Sequence, residues 1–251
     1  MTCMCISAAQ SPLGDANRQK RKNMRLIMLA AVAITPLLAA ASDSVKRLNE
    51  ATAVISEIMA APDKGIPEEL VSKAHCIVIV PNMKTAAFIV GGKYGKGYLS
   101  CRNKNHVGWS APGTVRIEGG SVGFQIGGSA TDLIMLVMNA RGADRLLSSK
   151  FTLGAEGSVA AGPVGRTATA QTDAQMKAEI LSWSRTQGLF AGLALEGATL
   201  RQDLDDNAEL YGKKLENRGI VTGATSIPKS ARGLIAMLNK FSAREKRASK
   251  N

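Results

Sequence analysis

Between residues 75 and 195 the chain is cut into short apolar runs separated by glycine, and this punctuation limits the fold more than any other feature. His75 to Val80, Ala86 to Val90, Gly97 to Cys101, Gly108 to Trp109, Thr114 to Ile117 and Ser121 to Ile126 all read as strands. A longer run, Leu133 to Met138, precedes a helix expected at Ala143 to Ser149. Shorter strand-like runs follow at Phe151 to Leu153, Ser158 to Ala161, Ala178 to Trp183 and Leu189 to Leu195. Short turns rather than regular crossover helices join these runs. That argues against a doubly wound α/β fold and for an α+β fold with a Gly-rich, mainly antiparallel sheet or barrel. With 25 glycines and only 4% aromatic residues, the core must be aliphatic and close backbone approaches numerous.

Helices are expected at the two ends. Val45, Leu48, Thr52, Ile55 and Met59 recur at helical spacing, with N-cap candidates Ser42, Asp43 and Ser44 before them and Pro62 as a stop. This N-terminal amphipathic helix has two readings: it packs on its own domain, or it lies on a membrane. Pro67 opens a short helix running to Lys73. Asp203 to Leu215 and Pro228 to Phe241 read as C-terminal closing helices.

The first forty residues read as an address. A basic stretch from Arg18 to Arg25 runs into Leu26 to Leu38 and then into Ala39-Ala40-Ala41-Ser42, the charged, apolar and small-residue order of a secretory signal. The apolar run is shorter than a membrane span, and Pro36 would interrupt one. Residues 24–41 are therefore expected to be a signal peptide cleaved after Ala41. Residues 1–23 read as an extended basic region or a misplaced start, since Met24 alone would begin a compact signal. Export, to the periplasm or outside the cell, would leave Cys76 and Cys101 in a compartment that permits disulfides. A buried free thiol at Cys76 and a Cys76 to Cys101 bridge both remain open.

A formal net charge of +12 favours anionic partners without choosing among them. The candidate contact residues are Lys46 and Arg47 on the first helix, Lys93 and Lys96 in a glycine-rich stretch, and Lys240, Arg244, Lys246 and Arg247 at the C-terminus, where residues 241–251 form a basic tail. Nucleic acid is disfavoured, because aromatic residues are not interleaved with the basic ones and the chain reads as exported.

Catalytic patterns are mimicked without support. Gly119-Gly120-Ser121-Val122-Gly123 fits a nucleophile-elbow pattern, yet Phe124 to Gly127 continues as strand and no histidine follows His106. Gly91 to Gly97 leads into a strand rather than a helix, so it reads as a hairpin with basic tips and not as a phosphate loop. His75 and Cys76 are adjacent in a strand and point to opposite faces, which opposes a zinc site with Cys101 and His106. Asp203, Asp205, Asp206 and Asn207 lack calcium-loop spacing and read as a solvated helix start. No catalytic residue, metal ligand or cofactor is expected.

Several segments resemble the SYLF-domain family. They are Val107 to Pro112, Gly119 to Asp132, Leu153-Gly154 with Gly162 to Arg166, and above all Ser182 to Gly197, with Asn207 and Tyr211-Gly212 continuing the likeness. The resemblance covers roughly Asp43 to Gly212 of the domain expected over residues 43–240. It implies lipid binding, since eukaryotic relatives bind phosphoinositides and some bind actin filaments, and it implies lipid contact through the basic positions Lys46 and Arg47 of the first helix. The expectation is an exported, non-catalytic protein bound peripherally to an anionic phospholipid membrane surface. The alternative is a protein-interaction or assembly module docking an acidic protein partner.

Overall fold

The computed structural model describes residues 42–61, 65–103, 107–163, 177–186, 189–192, 195, 197–223 and 225–242. The chain divides into residues 1–40 and 41–251, and every described residue lies in the second unit. The expected signal segment and most of the basic tail, including Arg244, Lys246 and Arg247, fall outside the described residues, as does His106.

The fold is α+β. Helix α1 (Asp43–Ala60) and the short α2 (Glu68–Lys73) precede the long strands β1 (Cys76–Cys101) and β2 (Gly113–Val137). Then come α3 (Ala140–Leu146), β3 (Lys150–Thr152), β4 (Val159–Ala161), β5 (Ile180–Thr186), β6 (Leu189–Gly192) and β7 (Thr199–Gln202). Helices α4 (Leu204–Tyr211), α5 (Asn217–Thr222) and α6 (Arg232–Ser242) close the chain. Among the described residues the sheet has seven strands and β2 is its spine. β1 pairs along nearly all of β2, while β7 takes the other edge of its first half and β5 that of its second. Every pairing is antiparallel except β4 with β5.

The runs expected as separate strands from His75 to Cys101 are one strand, and those from Thr114 to Met138 another. A straight strand of 26 residues would span roughly 85 Å. Instead, the Cα atoms of Cys76 and Cys101 lie 3.9 Å apart, joined by a disulfide, and the Arg102 amide donates to the His75 carbonyl at 2.8 Å. The β1–β2 ribbon therefore curls back on itself. Register shifts between Val80 and Met83 and between Ala87 and Ile89 provide the bends, and Asn82 takes a left-handed conformation (φ 50°) at the first of them.

Gly91 to Gly97 is accordingly not a hairpin. It runs inside β1 in unbroken register, Lys93 opposite Gly119 and Lys96 opposite Arg116. Its glycines serve packing rather than a turn: a Cβ on Gly95 would stand 2.7 Å from a Val80 methyl carbon, where the curled strand meets itself. Likewise β2 passes straight through Gly119 to Gly123, so no strand-to-helix elbow exists there.

The unbroken apolar run at the start of β1 is explained by burial on both faces. Ile77 and Ile79 join Ile134, Leu136 and Trp183 under Leu48, Ile55 and Ile58 of α1 and Leu234 of α6. Cys76, Val78 and Val80 point the other way, into a second core with Leu133, Met135, Val137, Phe151 and Leu200. The apolar face of α1 is thus covered by its own domain, the first of the two readings. Among the described residues no helix is long and apolar enough to cross a membrane.

Candidate functional site

Helix α1 is held to the sheet by charge as well as by apolar packing. Ser42 caps it, accepting from the Val45 amide at 3.4 Å. One turn on, Arg47 reaches the Asp206 carboxylate of α4 at 2.6 Å. Asp206 also accepts from Lys96 of β1 at 2.8 Å, and the same Lys96 lies 2.9 Å from Asp203. Two cations and two carboxylates therefore neutralise one another at the junction of α1, β1 and α4. Beside them the Tyr98 hydroxyl donates to the Ser44 carbonyl at 2.5 Å, and burial pushes that phenol well above its usual range, so it stays protonated.

This cluster is not a solvated helix start. Asp205 is exposed, but Asp203 and Asp206 are buried, and Asp203 caps α4 by accepting from the Asp206 amide at 3.2 Å. Burial resists ionisation of Asp203, but the hydrogen bonds from Lys96 and the Asp206 amide, together with the charges of Lys96 and Arg116, outweigh it, so the carboxyl lies below its ordinary range. Burial likewise opposes the charge on Lys96, and its bonds to Asp206 and Asp203 raise it above the usual lysine value. Asn207 is fully buried. Its Oδ1 accepts from the Thr114 amide at 2.9 Å and its Nδ2 donates to the Leu215 carbonyl at 2.7 Å and to Asn217 Oδ1 at 2.8 Å. Tyr211 donates to the Pro112 carbonyl at 2.6 Å, and Gly212 ends α4 in the left-handed conformation (φ 74°). These side chains fasten the C-terminal helices to the start of β2.

A second tie lies at the far end of β1. The buried Arg102 guanidinium donates to the carbonyls of Val71 at 3.1 Å and Ser242 at 2.9 Å, and lies 4.1 Å from the centre of the Trp109 ring. Carbonyls at the C-terminal ends of α2 and α6 thus share one cation, which suits the negative end of each helix. Trp109 completes the clamp by donating to Ser242 Oγ at 2.6 Å. A cleft of about 470 Å³ opens beside this clamp, with the Cys76–Cys101 bridge in its wall and Arg218 held by Asp144 at 2.6 Å.

Of the basic residues singled out in the sequence, the structure unites Arg47 and Lys96 through Asp206. Lys46 and Lys240 are exposed, while Lys93 is half-buried and, three residues from Lys96 along an unbroken strand, faces the opposite side. Sequence reasoning missed the acidic half of the network, because nothing local distinguishes a helix-start aspartate facing solvent from one facing a lysine a hundred residues away.

Asp203, Asp206, Asn207 and Tyr211, one half of the ties described above, lie inside a segment that matches a known family. The Ysc84 family, described as a Las17-binding protein actin regulator, matches residues 118–241. Residues 118–241 of this chain belong to the Ysc84/SYLF family. The SH3 domain-containing YSC84-like protein 1 of Homo sapiens is 31% identical over 202 residues, 80% of this chain and 58% of that protein. The SH3 domain-containing protein PJ696.02 of Schizosaccharomyces pombe is 35% identical over 178 residues, 69% of this chain and 41% of the relative. Protein YSC84 of Saccharomyces cerevisiae is 31% identical over 180 residues, 70% of this chain and 38% of the relative. The chain thus spans about half the length of the curated Ysc84/SYLF relatives it matches.

Proposed function

We propose that this Ysc84/SYLF chain is an exported, non-catalytic domain that docks peripherally on anionic phospholipid surfaces. One observation carries the reading: most described carboxylates are taken up in ion pairs or hydrogen bonds of the chain itself, and the unpaired charge left at the surface is mainly cationic. Asp206 serves Arg47 and Lys96, Asp132 and Glu57 serve Arg185, Glu179 serves Arg145, and Asp144 serves Arg218. Among the described residues Lys46, Lys84, Lys150, Lys177, Lys213 and Lys240 are exposed and make no ion pair. Each lysine near an anionic bilayer contributes about 1 kcal/mol, so a few acting together give useful affinity. The covered apolar face of α1 makes this attraction electrostatic and shallow rather than insertive. The Cys76–Cys101 bridge supports an oxidising compartment, in keeping with the signal-like segment at 24–41.

Cosedimentation with vesicles of phosphatidylcholine, with and without phosphatidylglycerol, tests the reading. Binding only to the anionic vesicles, weakened by Lys46→Glu and by salt, is the expected result. Equal binding to both vesicles would overturn it.

The description of the family as a Las17-binding actin regulator favours a second reading, a protein-docking module. Cosedimentation with actin filaments, lost on deleting residues 243–251 while vesicle binding persists, would support that reading instead.

A further inference from the structure

We infer that the outer face of strands β1, β2, β7 and β3 is the surface that meets the bilayer, an inference that rests on the lipid-docking reading above. The register aligns four cations across four neighbouring strands: Lys96 opposite Arg116, Arg116 opposite Arg201, and Arg201 opposite Lys150. Directly paired residues project from the same face of a sheet, so the four form one row. Like charges placed directly opposite destabilise a sheet, and three such pairs in succession need an anionic counterpart.

The row is only partly neutralised from within. Lys96 is balanced by Asp203 and Asp206. Glu118 is the remaining carboxylate in the pairings, 3.1 Å from Arg116 Nε and 3.8 Å from Arg201 Nε, and it cannot balance both arginines together with Lys150. Arg116 and Arg201 keep 38% and 41% of their side-chain surface exposed, and Lys150 is exposed too.

The adjacent row on the same face reads Tyr94, Glu118, Thr199 and Thr152. Tyr94 is 48% exposed, one of two large apolar side chains left in solvent among the described residues. An aromatic ring with a polar tip beside a row of cations suits the headgroup layer, where phosphates accept from arginine and threonine and the phenol rests at the interface. With the cations on the phosphates and the phenol at headgroup depth, the occupant is an anionic lipid headgroup surface, and an acidic protein is the outcome that the polyglutamate arm below would reveal.

The test compares the full chain with its Arg116→Gln/Lys150→Gln/Arg201→Gln variant on phosphatidylcholine vesicles containing phosphatidylglycerol. Removal of three surface cations is expected to weaken binding roughly a hundredfold, with the circular dichroism spectrum unchanged. Undiminished binding by the variant would overturn this face while leaving lipid docking intact. Failure of the unaltered chain to bind would overturn both, and its binding to polyglutamate instead would assign the row to an acidic protein. If the triple variant does not fold, Tyr94→Trp decides, because the native Trp109 and Trp183 are buried and contribute a constant background. A blue shift of its emission on adding anionic vesicles is expected, and an unshifted spectrum under binding conditions would overturn the inference.

Discussion

Gly97 lies against the backbone of Val80, seventeen residues earlier in the same strand, so closely that a Cβ on Gly97 would stand 2.7 Å from the Val80 Cα. The curl of β1, and with it the placement of Lys96 beside α4, depends on that contact. Gly97→Ala should destabilise the domain by about 3 kcal/mol or prevent folding, since the neighbour is backbone and cannot rotate aside. Gly120→Ala has open space around it and should change stability by less than about 1 kcal/mol. Urea denaturation of the two variants checks the contrast.

Asp206 stands between two cations, and its loss leaves both without their shared partner. Asp206→Asn is expected to cost about 2 kcal/mol, less than for a fully buried pair because Arg47 and Lys96 keep some contact with water. A double-mutant cycle with Arg47→Met measures the coupling, which should exceed that of the exposed pair Lys73–Glu69.

Reduction of the disulfide removes a link between residues 25 apart in sequence. In the chain-entropy description, closing a loop of that length contributes about 3 kcal/mol. The Cys76→Ser/Cys101→Ser protein should therefore unfold at clearly lower urea concentration than the oxidised chain, and added reductant should shift the oxidised chain alone.

Asp203 is held below its ordinary pKa in the folded state by Lys96, despite its burial. Unfolded chains thus bind its proton more readily than folded ones. The stability it contributes is complete above the usual aspartate value of about 4 and is lost as pH falls through the lower folded value. The urea midpoint should drop between pH 5 and pH 2, and Asp203→Asn should make that drop shallower.

Helix α1 was legible because its apolar spacing is local and Ser42 and Pro62 bracket it. The strand class was legible too, since runs such as Cys76 to Val80 have the length and branching of buried strands. What escaped was whatever depends on distant segments meeting. Gly95 and Gly97 read as turn residues, and only the curl of β1 shows them to be contact points. The row Lys96, Arg116, Lys150 and Arg201 is scattered over a hundred residues and exists only through the pairing register. Helix α5 and strand β7 also went unread, being short and centred on mixed segments such as Thr199-Leu200-Arg201-Gln202.

The most direct test of the account is the salt dependence of vesicle binding by the unaltered chain. On phosphatidylcholine vesicles containing phosphatidylglycerol, affinity should be high at low ionic strength and fall steeply toward molar salt, where the Debye length shrinks to about 3 Å. Affinity that is absent at low salt, or indifferent to salt, would contradict a surface that docks by its unbalanced cations.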